Sequence, residues 1–436
     1  MSYNSRQKVP PKILIASMMG NCLEQYDFML YVFLAPFLAP VFFPTEDKLV
    51  SLILSMSVYA IGFIARPLGA IFFGKIGDIS GRRKALSMSI FGMAFFTACM
   101  GFVPSYEQIG VLAPLLIILL RLLQSFCVAG EYNGAALFVL EHTPAHKENF
   151  ISGVYVSSGA LGTLLASLTL WFVLNYQVQW NSLWRVSFIF PAVFGLVGYY
   201  IRRSLTEDLF PQRDSVKEES LSLRQTFKEY PFELLLVFGI ASFSGCLIYF
   251  LMAFPSAFIP QISSISLQQM SKISSIILFI YAFNLWFMGY ISDLVGSWVM
   301  MVANTLLLLI FAPLFYSGLL SNNIFYISVS LLGLSFFVAA FLAPSHVLMK
   351  NLFPLRKRYT AISLAFNVGN GFLGATSSAI AMMLYKITGN PLSPLFYLIF
   401  CGSLFLSTWV VFLIKKGYIL YDWGWNDDKK TDKILL

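Results

Sequence analysis

Long apolar runs, each interrupted by only a few polar residues, recur along the chain from Ile13 onward. A helix needs roughly 20 mainly apolar residues to cross a bilayer. Runs at 13–43, 50–73, 84–103, 111–140, 150–174 and 183–201 meet that requirement, and six more follow at 232–259, 268–291, 298–318, 324–350, 359–385 and 394–416. The pattern predicts an all-α membrane protein with twelve transmembrane helices arranged as six plus six. The first run is too long, and too often interrupted by polar groups, for the apolar core of a cleaved signal peptide. It is therefore read as a retained first helix.

Composition moves the apolar surface from a soluble core into lipid. Of 436 residues 58% are hydrophobic and 11% charged, whereas a soluble domain charges about a quarter of its residues. Most of the 29 basic residues fall in the segments before span 1, after spans 2, 4, 6 and 10, and after span 12, while Lys48, Lys272 and Lys386 lie opposite. Basic residues near helix ends stay on the cytoplasmic side, so both termini are expected there. The formal charge of +8 is then topology and contact with anionic lipid, and nucleic acid is not an expected partner.

The polar stretch between the two sets of six, 202–231, reads as a cytoplasmic linker joining an N-terminal half (1–201) to a C-terminal half (232–416), with a cytoplasmic tail at 417–436. The halves echo one another. Gly74, Asp78 and Gly81 after span 2 match Gly289, Asp293 and Gly296 after span 8 at one constant offset, and Pro144 and Gly159 match Pro354 and Gly369 at another. Weak internal symmetry of this kind marks secondary transporters, whose substrate site lies near mid-membrane between the repeats.

Ionised side chains inside a membrane helix cost roughly 2.5–3.5 kcal/mol each even on lenient insertion scales. Glu24, Asp27, Arg121 and Glu131 all fall inside spans, so they are expected to face protein or water. Glu24 and Asp27 share one side of the first helix, and Tyr31 extends that stripe. Burial favours the neutral form of a carboxyl group and a nearby arginine favours the charged one, so a carboxylate and an arginine that part and re-pair make a proton-dependent switch. Glu24 or Asp27, with Glu131, are the expected proton carriers and Arg121 their partner; an inert ion pair that fixes helix packing is the alternative. Substrate contacts are expected from Tyr26, Tyr31 and Arg66 in the N-terminal half. In the C-terminal half they are expected from Tyr249, Asn284, Asn367 and Asn370, with Tyr281 and His346 as further polar candidates. Small residues at Ser157, Ser158, Gly159 and Gly162, and again at Gly369, Gly371 and Gly374, suit close helix contacts that slide.

The other chemistries find no support. The five cysteines form no CxxC pair, so neither a disulfide nor a metal site is expected. His142 and His146 are separated by Thr143-Pro144, which breaks the helical spacing a metal pair would need. No phosphate-binding G-x-x-x-x-G-K-[ST] loop occurs, and no cofactor is expected.

At Gly74-Lys75-Ile76-Gly77-Asp78-Ile79-Ser80-Gly81-Arg82-Arg83-Lys84 the chain resembles the loop signature of the major facilitator superfamily, G-x-x-x-D-R-x-G-R-[RK]. The stretch Gly20-Asn21-Cys22-Leu23-Glu24-Gln25-Tyr26-Asp27-Phe28 is similar to the GNxLEWYDF signature of its metabolite:proton symporters. Further similarity runs through Gly62–Gly69, Arg121–Ala135, Glu141–Phe150 and Phe353–Ala361. Ile79, Gln25 and Asn133 depart from the usual Arg, Trp and Gly, and the second copy of the loop lacks the basic cluster. The resemblance implies that Gly74, Asp78, Gly81, Arg82 and Arg83 form a cytoplasmic gating latch in which Asp78 opposes helix-end amides of the other half.

The implied function is a transporter, and no enzyme, of the cytoplasmic (inner) membrane of a bacterium. It would import a small polar metabolite of organic acid, betaine or amino acid type with protons, and act as a monomer. A proton-independent facilitator or antiporter of the same fold is the alternative, followed by a sensor that binds without transport. The residues after Lys416 show no heptads, so the coiled-coil tail of some osmosensing relatives is not expected.

Overall fold

The computed structural model describes residues 11–80, 82–128, 131–176, 183–191 and 223–416. The predicted linker (most of 202–231), the tail at 417–436 and Gly81 of the expected latch lie outside the described residues.

Helices account for nearly everything described: α1 Pro11–Phe42, α2 Lys48–Ser80, α3 Arg82–Phe102, α4 Leu112–Val128, α5 Glu131–Glu141 and α6 Glu148–Tyr176, with a further helical piece at 183–191. Then come α7 Pro231–Ile262, α8 Leu267–Val295, α9 Ser297–Leu319, α10 Ile324–Leu352, α11 Leu355–Gly369, α12 Ser377–Thr388 and α13 Pro394–Lys415. Their ends follow local chemistry. Proline opens α7 and α13, where its missing N–H costs nothing. Ser266 and Gln269 form a capping box at the start of α8, and Gly389 ends α12 with φ of 65°, a conformation that favours glycine.

Eight helices among the described residues are long and apolar enough to cross a membrane, and two shorter apolar ones lie at Ser87–Phe102 and Leu112–Val128. Large apolar side chains such as Phe91, Phe95, Phe287, Ile310 and Leu314 point outward, as a lipid-facing belt requires. Two boundaries differ from the sequence expectation. The segment after 73 continues α2 to Ser80, because its glycines and single Asp78 do not break a helix already nucleated; Gly74 and Asp78 therefore sit on helical turns, and Arg66 lies near mid-helix. The single span expected at 359–385 is interrupted by a π-helical turn at Asn370–Gly374, where Ala375 donates to the Asn370 carbonyl at 2.7 Å. Such wide turns often mark functional sites.

α1 packs on α2 and α6, and α4 on α2 and α3; later in the chain α7 packs on α10, α11 and α13. The two sets meet chiefly where α6 runs along α8 and α10. That approach is close because of the small residues noted in the sequence. A Cβ added to Gly162 would sit 2.1 Å from the Cys22 carbonyl oxygen, and one on Gly153 would sit 2.3 Å from that of Leu285. Gly162→Leu is therefore expected to separate α1 from α6 at a cost of at least the 1–3 kcal/mol typical of overpacking. The check is a lowered melting temperature in detergent beside a well-folded Leu161→Ala control.

Both ends of the bundle are pinned between the two sets. At one end Asp293 accepts from the backbone N–H groups of Asn149 (2.9 Å) and Phe150 (3.0 Å), capping the first turn of α6. Lys350 pairs with Glu148 in a buried contact, and Arg358 with Glu141 at 3.0 Å. Asp293 thus occupies, in the second sequence repeat, the role expected of Asp78. At the opposite end Lys386 pairs with Asp47 and Gln268 donates to Asn175.

Asp47 also accepts from the N–H groups of Leu49 and Val50. The Lys386 ammonium, and then these amides, hold its carboxyl below the usual carboxylate range. A carboxylate depressed in this way contributes stability above its ordinary value, and loses that contribution as pH falls through its lowered one. Wild type is therefore expected to lose, below about pH 4, a stability advantage over Asp47→Asn that is present at pH 7, read from paired thermal melts.

Candidate functional site

The stripe Gly20, Leu23, Glu24 and Asp27 on α1 faces α3 and the C-terminal end of α4, whereas Asn21, Cys22 and Gln25 face α6. Helical periodicity alone produces this division. Asn21 donates to Ser158 Oγ (2.9 Å) and to the Tyr155 carbonyl (3.2 Å) on α6. Gln25 lies within 3.0 Å of a Cβ placed on Gly159, so the residue that replaces the usual Trp packs on α6, away from the buried charges.

Those charges form one connected network. Arg121, on α4 and 0% exposed, donates through Nη1 to Gln124 Oε1 and through Nη2 to the Phe28 carbonyl at 3.4 Å. Gln124 Nε2 in turn donates to Asp27 Oδ2 (2.7 Å) and to Thr97 Oγ1 (2.6 Å) on α3. Direct pairing of Arg121 with a carboxylate was the sequence expectation; here an amide stands between Asp27 and the guanidinium. The second oxygen of Asp27, Oδ1, has no hydrogen-bond partner, although the residue is only 2% exposed. Gln124 and Thr97 were missed by the sequence reading. Gln124 was findable, since it lies three residues after Arg121 on the same helix face, but neither residue is charged and neither drew notice among apolar neighbours.

Aromatic rings enclose the guanidinium groups. Arg121 Cζ lies 4.3 Å from the Phe28 ring centre, 4.8 Å from that of Tyr59 and 5.2 Å from that of Tyr31. Arg66 Cζ, on α2, lies 4.5 Å from Phe28 and 4.2 Å from Phe63. Phe28 is thus shared by two cations, each held by the ring quadrupole in a desolvated place where such contacts are worth about 2 kcal/mol or more. Tyr31 donates to the Ser55 carbonyl at 3.3 Å. The hydroxyl groups of Tyr59 and Tyr249 are hydrogen-bonded, which joins α2 to α7 through a ring that also faces Arg121. Gly371, in the π turn, packs on Phe63, so the irregular backbone of the C-terminal set touches the same cluster.

Of the residues singled out in the sequence, Asp27, Tyr31, Arg66, Arg121 and Tyr249 come together here. Glu24 is buried one turn from Asp27 on the same side of α1. Glu131 opens α5, Arg82 and Arg83 open α3, and the side chains of these three, like that of Asp78, lie outside the described residues. Other candidates turn elsewhere. Tyr26 places its hydroxyl 3.3 Å from Thr169 of α6. Asn284 donates to Ser335 across α8 and α10 at 2.9 Å, and Asn367 donates to the Ser363 carbonyl of its own helix. Asn370 lies in the π turn against Gly245. Tyr281 is buried on α8, and His346 is buried between Tyr155 and Phe366, with ring centres 6.2 and 6.5 Å away. Arg185, unassigned in the sequence, donates to the Gly101 and Val103 carbonyls and caps the end of α3.

Residues 18–316 match the profile of the Major Facilitator Superfamily. The chain belongs to the major facilitator superfamily. It is a multi-pass membrane protein of a transporter family, and the relatives agree with the symporter signature read on α1. It is 30% identical over 416 residues to the glycine betaine/proline/ectoine/pipecolic acid transporter OusA of Dickeya dadantii, covering 91% of this chain and 82% of the relative. Identity to the proline/betaine transporter of Escherichia coli K12 is 29%, covering 92% and 82%. Identity to a putative proline/betaine transporter of Staphylococcus aureus is also 29%, covering 90% and 85%. Among solved structures, the D-xylose-proton symporter superposes with a TM-score of 0.72 at 16% identity, covering 91% of this chain and 97% of the other. At that identity the likeness is one of fold.

Proposed function

We propose that this superfamily member is a proton-coupled symporter of the bacterial cytoplasmic membrane, importing a small polar metabolite by alternating access. In this reading twelve spans form two six-helix halves, 1–201 and 232–416, around the linker at 202–231, with both termini and the tail at 417–436 cytoplasmic and the monomer as the working unit. Asp27 carries the proton, with Glu24 and Glu131 as the further proton-coupling groups. Gln124 passes its charge state to Arg121, and Arg66 and Arg121 receive the anionic end of the substrate beneath Tyr31, Tyr59 and Tyr249. Asn284, Asn367 and Asn370 are the C-terminal contacts. Gly74, Asp78, Gly81, Arg82 and Arg83 latch the cytoplasmic end.

The observation that carries the reading is the buried line Asp27–Gln124–Arg121. A cation fixed by rings and amides and a carboxylate with one open oxygen form a pair whose balance changes when a proton arrives. The named substrates of the relatives are small amino acid and betaine compounds, and a zwitterion of that size suits two guanidinium groups beside tyrosine rings. Protein in liposomes is expected to admit protons when proline or glycine betaine is added outside, and to accumulate the substrate when the exterior is acidified. Substrate flux that ignores the pH gradient would replace the symporter by a facilitator, and binding without flux would make it a sensor.

A further inference from the structure

A crevice separate from the aromatic cluster runs between α1 and α3. Gly20, Leu23, Glu24 and Asp27 form one wall, Ser89, Ile90 and Met93 the other, and Val128 and Pro191 close it. Its volume is about 10 Å³, room for about one water molecule and far too little for a metabolite. Ser89 anchors the α3 wall by donating to the Cys127 carbonyl on α4 at 2.5 Å. Among the described residues, Asp27 is the one side chain common to this crevice and to the hydrogen-bonded line that ends on Arg121. Its Oδ2 is held by Gln124, while Oδ1 is buried with no hydrogen-bond partner. Among the described residues, the ionisable groups that face Asp27 are Glu24 and Tyr26 on its own helix and Arg121 across Gln124; α3 faces it with Ser89, Met93 and Thr97.

We infer that protons reach and leave Asp27 through the crevice between α1 and α3, while the substrate moves on the opposite side of Gln124 through the central cluster. A water in the crevice relays a proton from outside, giving one to Oδ1 as it takes one from bulk hydronium, which makes the carboxyl neutral; on the return step Oδ1 gives the proton to the crevice water, which passes one on to bulk water. Gln124 keeps its bond to Oδ2 throughout and seals the two routes from one another. Arg121, walled by Phe28, Tyr31 and Tyr59, stays on the substrate side. Separate routes let the proton be exchanged without opening the substrate path to water.

The inference rests on the symporter reading, and the test separates the two. Ile90→Trp fills the crevice from the α3 side, and Ile90→Ala widens it. In liposomes, equilibrium exchange of labelled substrate requires no proton release, whereas uptake driven by a pH gradient requires one proton cycle per turnover. Ile90→Trp is expected to slow gradient-driven uptake at least tenfold while exchange stays within about twofold of wild type, and Ile90→Ala is expected to keep both. Loss of both activities in a protein that still elutes as a single folded species, or loss of neither, overturns the separate route. If Ile90→Trp does not fold, Met93→Phe narrows the same wall by less, and the same two rates decide in the same way. A wild-type protein that shows no gradient-driven uptake at all sinks the symporter reading instead.

Discussion

Arg121→Met is expected to abolish both accumulation and exchange, by at least a hundredfold against wild type. Among the described residues no other ionic group is so completely enclosed: the side chain is 0% exposed, bonded to Gln124 and to the Phe28 carbonyl, and ringed by three aromatic faces. Removing it leaves Asp27 as a buried carboxylate without a compensating cation, and breaking one side of a buried pair costs about 3–5 kcal/mol. The melting temperature is expected to fall with the activity. Arg121→Met combined with Asp27→Asn removes both charges and is expected to recover most of the stability and none of the transport, which distinguishes a substrate-side role from a purely structural one. Arg121→Lys keeps the charge and loses the planar fork that reaches Gln124 and Phe28 together, so it is expected to fold and to transport poorly. Transport by Arg121→Met near the wild-type rate would remove Arg121 from the mechanism.

The second large effect is a division of activities. Asp27→Asn keeps the shape of the side chain and an oxygen to accept from Gln124, but it cannot take up a proton. Gradient-driven accumulation is expected to fall at least tenfold, exchange to stay within a few-fold, and the remaining uptake to become independent of external pH between 5 and 8. Glu24→Gln changes the crevice wall but not the bond to Gln124, so it is expected to slow accumulation without removing its pH dependence. The reverse outcome, with Glu24→Gln insensitive to pH and Asp27→Asn still coupled, would transfer the proton to Glu24. Both variants are measured in the same liposomes with labelled substrate and a pH-sensitive dye.

How far the sequence could be read differs from one residue to the next. Arg121 and Asp27 stood out because an ionised group among apolar neighbours is costly in lipid, and they prove to belong to one network. Gln124, Thr97 and Tyr59 complete that network but carry no charge, so nothing local set them apart. The span expected at 50–73 ends soon after Arg66, because the stretch from Gly74 to Ser80 reads as a loop in the sequence; the helix carries on through it and leaves Arg66 near its middle. Asn284 and Asn367 are candidate contacts because polar residues inside apolar helices need partners, whether another helix or a ligand. Their bonds to Ser335 and to the Ser363 carbonyl are the interhelical and local satisfaction that such residues commonly find.

The helices and the family signatures were determined by the sequence itself. In a bilayer a segment must satisfy its own backbone, so a run of apolar residues of sufficient length leaves the chain few alternatives to a helix. Which side chain meets which was decided by the tertiary structure alone. The contacts that define the site join α1 to α3 and α4 and, through Tyr59 and Tyr249, α2 to α7. Contacts over such separations depend on helix rotation and close approach, which Gly162, Gly371 and the π turn at Asn370–Gly374 permit. Helical periodicity places Glu24 and Asp27 on one face of α1; only packing against α3 and α4 gives Asp27 an amide on one oxygen and a water-sized crevice beside it.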